Sequence, residues 1–89
     1  MAERLIRIQN KLGLHARASA KLAAEASRFN CEVLLSKDNV EINAKSIMGI
    51  MMLAASKGSQ LLLRAQGSDA ESALDSIESL VNSRFGEGE

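Results

Sequence analysis

A chain of 89 residues with eleven basic and eleven acidic side chains carries no net charge, which argues against a surface built mainly to bind nucleic acid or an anionic membrane. Its single cysteine excludes an internal disulfide, and with one histidine it cannot supply the usual ligands of a structural zinc site; no cofactor is expected either. The longest apolar run, 47–55, falls far short of the roughly 20 residues that span a bilayer, and no charged-then-apolar leader opens the chain; the expectation is one cytoplasmic domain, 1–89, too small for a deep cleft.

Residues 4–8 are short and β-branched, and they predict a first strand that turns Ile6 and Ile8 to the core. A loop, 10–14, follows, and the alanine-rich stretch 16–26 has strong helix-forming composition. Ser19, Leu22, Ala23, Ala26 and Phe29 fall on one inward stripe of that helix, with Lys21, Glu25 and Arg28 facing water and Asn30 ending it. Ser19 is explained by a hydrogen bond to a carbonyl of the preceding turn.

Residues 31–36 and 40–42 alternate as two strands of a hairpin, with Cys31, Val33 and Leu35 inward and the turn at 37–39. Ser46 is a good N-cap for a helix through the apolar run 47–55, which is apolar on every side and so must leave part exposed; Lys57 and Gly58 are expected to close it. Leu61, Leu63 and Ala65 alternate in a fourth strand closed by Gly67. Ser68 and Glu71 match a capping box. Ala70, Ala73, Leu74, Ile77, Leu80, Val81 and Phe85 then form the inward stripe of a last helix, and 86–89 reads as a fraying acidic tail. The order is βαββαβα, an α+β sandwich in which a four-stranded antiparallel sheet turns its apolar face to three helices and leaves the other wet.

The chemistry concentrates at the start of the first helix. His15, the only histidine, stands at or next to its N-cap, where no usual capping side chain takes up the free N–H groups. Arg17 puts a cation at the positive end of the helix dipole, where an acid would be expected. Orphan donors, dipole and guanidinium together describe a site for an anion, most simply phosphate. A neutral imidazole nitrogen could accept a phosphoryl group whose oxygens reach the N–H groups of Ala16 and Arg17. Ser46 is first a cap, and a serine at a helix N-terminus is also a place that tolerates phosphorylation. Ile47, Met48, Ile50, Met51 and Met52 divide between core and an exposed methionine-rich patch suited to several partners. Cys31 reads as a small core residue.

Asn10-Lys11-Leu12-Gly13-Leu14-His15-Ala16-Arg17 resembles the active-site signature of the HPr family, the phosphocarriers of the bacterial phosphotransferase system, and Lys45-Ser46-Ile47-Met48-Gly49-Ile50-Met51 resembles its second signature at matching spacing. The resemblance implies an HPr-like open-faced sandwich and a phosphocarrier, itself a substrate of enzymes, that takes a phosphoryl group on His15 Nδ1 from enzyme I and passes it to an enzyme IIA domain. It further implies that Arg17 stabilises the phosphate and that Ser46 is phosphorylated by an HPr kinase/phosphorylase. Ala16, Ile47, Met48 and Met51 would belong to the face shared by partners, and the carrier would act as a monomer. Ala18 stands where many members have proline, which leaves the helix intact. Met52 replaces a more polar residue common in sugar-transport members, and the ending 82–89 resembles the nitrogen-related branch as well as short-pathway proteobacterial members, so sugar transport and nitrogen regulation both stay open. A purely regulatory binding domain is the main rival reading. A nucleic-acid module is disfavoured, because Phe29 and Phe85 are the only aromatic residues and neither alternates on a strand.

Overall fold

The computed structural model describes residues 1–89. Its elements are β1 (Ala2–Arg7), α1 (Ala16–Ser27), β2 (Glu32–Lys37), β3 (Val40–Asn43), α2 (Ile47–Met52), β4 (Gln60–Gln66) and α3 (Ala70–Asn82), followed by a single 3-10 turn at Arg84–Gly86. The strands make one antiparallel sheet in the order β1-β4-β2-β3. Side chains alternate along each strand, so the register decides which residues share a face. Ile6 pairs with Leu61, Leu35 with Leu63, and Val33 with Ala65, all six buried. On the other face Leu5 pairs with Leu62 and Leu34 with Arg64; Leu5 is exposed and the other three are half-buried.

One core joins the inner face of the sheet to the helices. Leu22, Ala23 and Ala26 of α1, Ile50 of α2, and Ala73, Leu74, Ile77 and Val81 of α3 belong to it. Cys31 belongs there too, and burial pushes its thiol above the ordinary range. Arg4, on β1, reaches α3: Nη1 lies 2.6 Å from Asp75 Oδ1 and 3.0 Å from Glu78 Oε1, and Nη2 lies 3.2 Å from Glu71 Oε2.

Three local expectations are corrected. The second helix stops at Met52, well before Gly58, because Ala54 takes a left-handed φ of 50° and turns the chain so that Leu53 and Ala55 both enter the core. Gly58 instead donates its N–H to Ile8 O at 2.7 Å and leads into β4. The capping box does not form either. Asp69 is the N-cap of α3, its Oδ2 accepts the Asn30 N–H at 3.0 Å, and Glu71 is drawn to Arg4. Both acids serve tertiary contacts in place of the local ones.

The largest correction is the C-terminus. α3 ends at Asn82, and Arg84 and Phe85 have positive φ values of 59° and 55°, which reverse the chain. Such conformations are disfavoured for bulky residues and persist where the surroundings hold them. Here the Phe85 ring is 1% exposed, so it joins the core from the returning segment and not from the helical stripe. Residues 86–89 do not fray. Glu89 accepts the Lys11 N–H on its main-chain oxygen at 2.9 Å, and the Phe85 carbonyl accepts from Lys21 Nζ at 2.7 Å. Phe85→Ala is expected to cost about 3–5 kcal/mol in urea unfolding; a loss of under about 0.5 kcal/mol, the range of an ordinary surface substitution, would show that the returning segment is not anchored in this way.

Candidate functional site

The site is assembled on the 10–14 loop. Gly13 has a φ of 68° and lies so close to the segment leaving α2 that a Cβ there would stand 2.5 Å from Ala55 O and 2.8 Å from Ser56 Cα. Beside it the Leu14 N–H donates to Ala55 O at 2.9 Å, and the Leu14 side chain is buried. Asn10, wholly buried, closes the loop from within: its main-chain carbonyl accepts the Gly13 N–H at 3.2 Å and its side-chain Nδ2 donates to Gly13 O at 2.8 Å. Ser19 fulfils its expected role, with Oγ donating to Leu14 O at 3.0 Å.

These ties place His15 as the N-cap of α1, in extended backbone with φ −72° and ψ −179°, and its side chain does not cap. The α-helical ladder starts with the Ser19 N–H donating to His15 O at 2.9 Å. The N–H groups of Ala16, Arg17 and Ala18 precede that first bond, so they lie in the turn where helices meet anions. Ala16 and Arg17 are exposed.

The imidazole is 29% exposed, and its Nε2 lies 2.5 Å from Glu87 Oε2, on a side chain only 7% exposed. Glu87 Oε1 accepts from Asn10 Nδ2 at 2.9 Å. That hydrogen bond, then those with His15 and the positive charge of Arg17, hold the Glu87 carboxyl below the ordinary range against the opposing effect of burial. Neither Asn10 as a side chain nor Glu87 was foreseen from sequence. Asn10 lies in the motif, whereas Glu87 sits in a Gly/Glu ending with no periodic signal.

Ser46 caps α2 as expected, its Oγ accepting the Gly49 N–H at 3.0 Å. α2 packs on α1, and it divides as its composition implies. Ile50 is buried, while Ile47, Met48, Met51 and Met52 are exposed, as is Leu12 in the His15 loop. The contact of Gly13 and Leu14 with residues 55–56 therefore joins the histidine loop to the exit of the methionine-rich helix.

Comparison with known proteins gives the family and the fold. Residues 2–83 match the family described as "PTS HPr component phosphorylation site". The chain is 51% identical over 89 residues to the phosphocarrier protein HPr of Cupriavidus necator, covering all of both chains. It superimposes on the crystal structure of an HPr from Thermoanaerobacter tengcongensis with a TM-score of 0.94 at 47% identity, covering 98% of each chain. An HPr dimer from the same organism matches with a TM-score of 0.79 at 47% identity, over 98% of this chain and 100% of that one.

Because the carboxyl of Glu87 is held low, its contacts are fully present above the ordinary glutamate value of 4.5 and are lost as the pH falls through the lower value of the folded chain. Amide NMR during an acid titration is expected to show the Asn10 side-chain and Lys11 backbone signals moving together below that value; a joint transition near neutral pH, or none, would refute the linkage.

Proposed function

The chain belongs to the HPr family, the phosphocarriers of the phosphotransferase system, and from that premise we propose that His15 is the residue that carries the phosphoryl group. The observation that carries this reading is His15 at an otherwise uncapped helix N-terminus, with Arg17 exposed in the same first turn. Of the two ring nitrogens Nδ1 is nearer the main chain, and Nε2 already faces Glu87. A phosphoryl group on Nδ1 therefore stands toward the N–H groups of residues 16–18, and Arg17 can swing to its oxygens in a charge-assisted contact.

Transfer is written as in-line displacement. The Nδ1 lone pair attacks phosphorus on the phosphorylated donor, enzyme I, and the donor's bond to phosphorus breaks with its electron pair returning to the donor. The onward step to an enzyme IIA domain repeats the exchange in the other direction. Catalysis here is positioning and charge stabilisation, and the carrier gains nothing from holding phosphate too tightly. A shallow, half-exposed histidine suits that requirement. Exposed Ala16, Ile47, Met48 and Met51 form the docking face, with flexible methionines adapting to successive partners. Ser46, exposed at its cap, is the regulatory position for an HPr kinase/phosphorylase; a phosphate there adds charge beside that face. The carrier works in the cytoplasm as a monomer, as one domain over 1–89, and needs no cofactor.

Incubation with enzyme I and phosphoenolpyruvate is expected to give an acid-labile label on the wild type and none on His15→Ala. Undiminished labelling of that variant would overturn the assignment. Arg17→Ala is expected to slow transfer about 10–100-fold, as the loss of one charge-assisted hydrogen bond implies. Ser46→Ala is expected to escape labelling by a cognate kinase with ATP and to lose about 1 kcal/mol of stability with its cap; label on another residue would remove the regulatory role.

A further inference from the structure

We propose that Glu87 is a positioning residue for phosphoryl transfer: its carboxylate keeps a proton on His15 Nε2, which leaves the lone pair on Nδ1, and it neutralises the cationic ring that forms when Nδ1 takes the phosphoryl group. The proposal rests on the reading of His15 as the carrier at Nδ1.

The geometry is that of an oriented carboxylate–imidazole pair. Glu87 Oε2 lies 2.5 Å from Nε2, and Oε1 is held at 2.9 Å by Asn10 Nδ2. The same Asn10 nitrogen donates to Gly13 O at 2.8 Å, so both of its protons are engaged and the amide is locked in the loop that carries His15. The Glu87 side chain is 7% exposed, which spares the pair most of the solvent screening that weakens surface ion pairs. Its backbone is held from both sides, by the buried Phe85 with its carbonyl on Lys21 Nζ, and by Glu89 on the Lys11 N–H. Three left-handed residues in succession, Arg84, Phe85 and Gly86, bring the acid back over the ring. An acid on a free tail would have none of these ties.

The chemistry follows from what a carboxylate can do. An ionised carboxylate only accepts hydrogen bonds, so Nε2 must be the donor. A neutral imidazole with its proton on Nε2 has its lone pair on Nδ1, the nitrogen nearer the main chain. When Nδ1 bonds to phosphorus and the donor's bond to phosphorus breaks, the ring carries a phosphoryl group, keeps the Nε2 proton and gains a positive charge. Glu87 offsets that charge at hydrogen-bond distance. In onward transfer the P–Nδ1 bond breaks and its pair returns to Nδ1. Because Nε2 is still protonated, the group that leaves is neutral imidazole and not the much poorer imidazolate. No proton enters or leaves in either direction.

The test compares wild type with Glu87→Gln and Glu87→Ala in the full chain. The glutamine keeps size and local packing while removing the charge. Nitrogen-15 NMR of the unphosphorylated His15 ring is expected to show in the wild type a protonated Nε2, slow to exchange, and a bare Nδ1; in both variants the Nε2 proton exchanges at least about tenfold faster. Transfer from wild-type phosphoprotein to an enzyme IIA domain is expected to be faster than from either variant by about tenfold or more, the scale set by one charge-assisted hydrogen bond. Circular dichroism and urea unfolding of Glu87→Gln separate this effect from a loss of fold. A labelled wild type whose variants exchange and transfer at the same rates removes the role of Glu87 alone. A wild type that takes no label from enzyme I and phosphoenolpyruvate removes the carrier reading, and this proposal with it.

Discussion

At Gly13 two backbones meet with no room for a side chain between them. The left-handed φ of 68° and the 2.5 Å that would separate a Cβ from the Ala55 carbonyl oxygen allow only glycine. From that contact the Leu14 N–H reaches Ala55 O, Leu14 enters the core, and the next residue, His15, is delivered to the top of α1 with its ring half out of the protein. The same contact fixes the loop against the chain leaving α2, so the histidine and the methionine-rich helix are held by one close approach and not by two independent loops. A larger loop or a freer turn would leave the imidazole without a defined direction, and its contact with Glu87 depends on that direction.

The short α2 shows how a small domain can keep apolar surface uncovered. Six residues make fewer than two turns, capped by Ser46 and ended by the left-handed Ala54. Ile50 alone of the helix is buried, and Leu53 and Ala55 follow it inward after the bend. A longer helix would have carried the 53–55 segment away from the core and from the histidine loop. The exposed Ile47, Met48, Met51 and Met52 are thus a consequence of ending the helix early, and they suit the docking face proposed for them.

The C-terminal return depends on long-range contacts. Arg4 of β1 gathers Glu71, Asp75 and Glu78 of α3, which sets the helix against the sheet edge; each pair is modest by itself because it is partly solvated, but together they fix one face. α3 then ends beside the site, and burial of Phe85 offsets the unfavourable backbone that reverses the chain. Only after this reversal can a carboxylate reach the ring, and Asn10, itself buried to close the histidine loop, receives it.

Much of this was legible in the amino-acid order. Alternation at 61–65 and 31–35 determined which strand face is buried, alanine-rich composition and the stripe from Ser19 to Ala26 determined α1, and Ser46 determined where α2 starts, because period and capping are local properties. The motif from Asn10 to Arg17 likewise contained its histidine, arginine and helix N-terminus. Tertiary structure alone decided that Ala54 and not Gly58 ends α2, that Asp69 and Glu71 serve Asn30 and Arg4 in place of a capping box, and that Glu87 leaves the solvent for His15. Leu53 and Ala55 set the bend at Ala54 by entering the core, the three carboxylates are taken by distant partners, and contacts across 39, 67 and 72 positions of sequence have no periodicity to announce them.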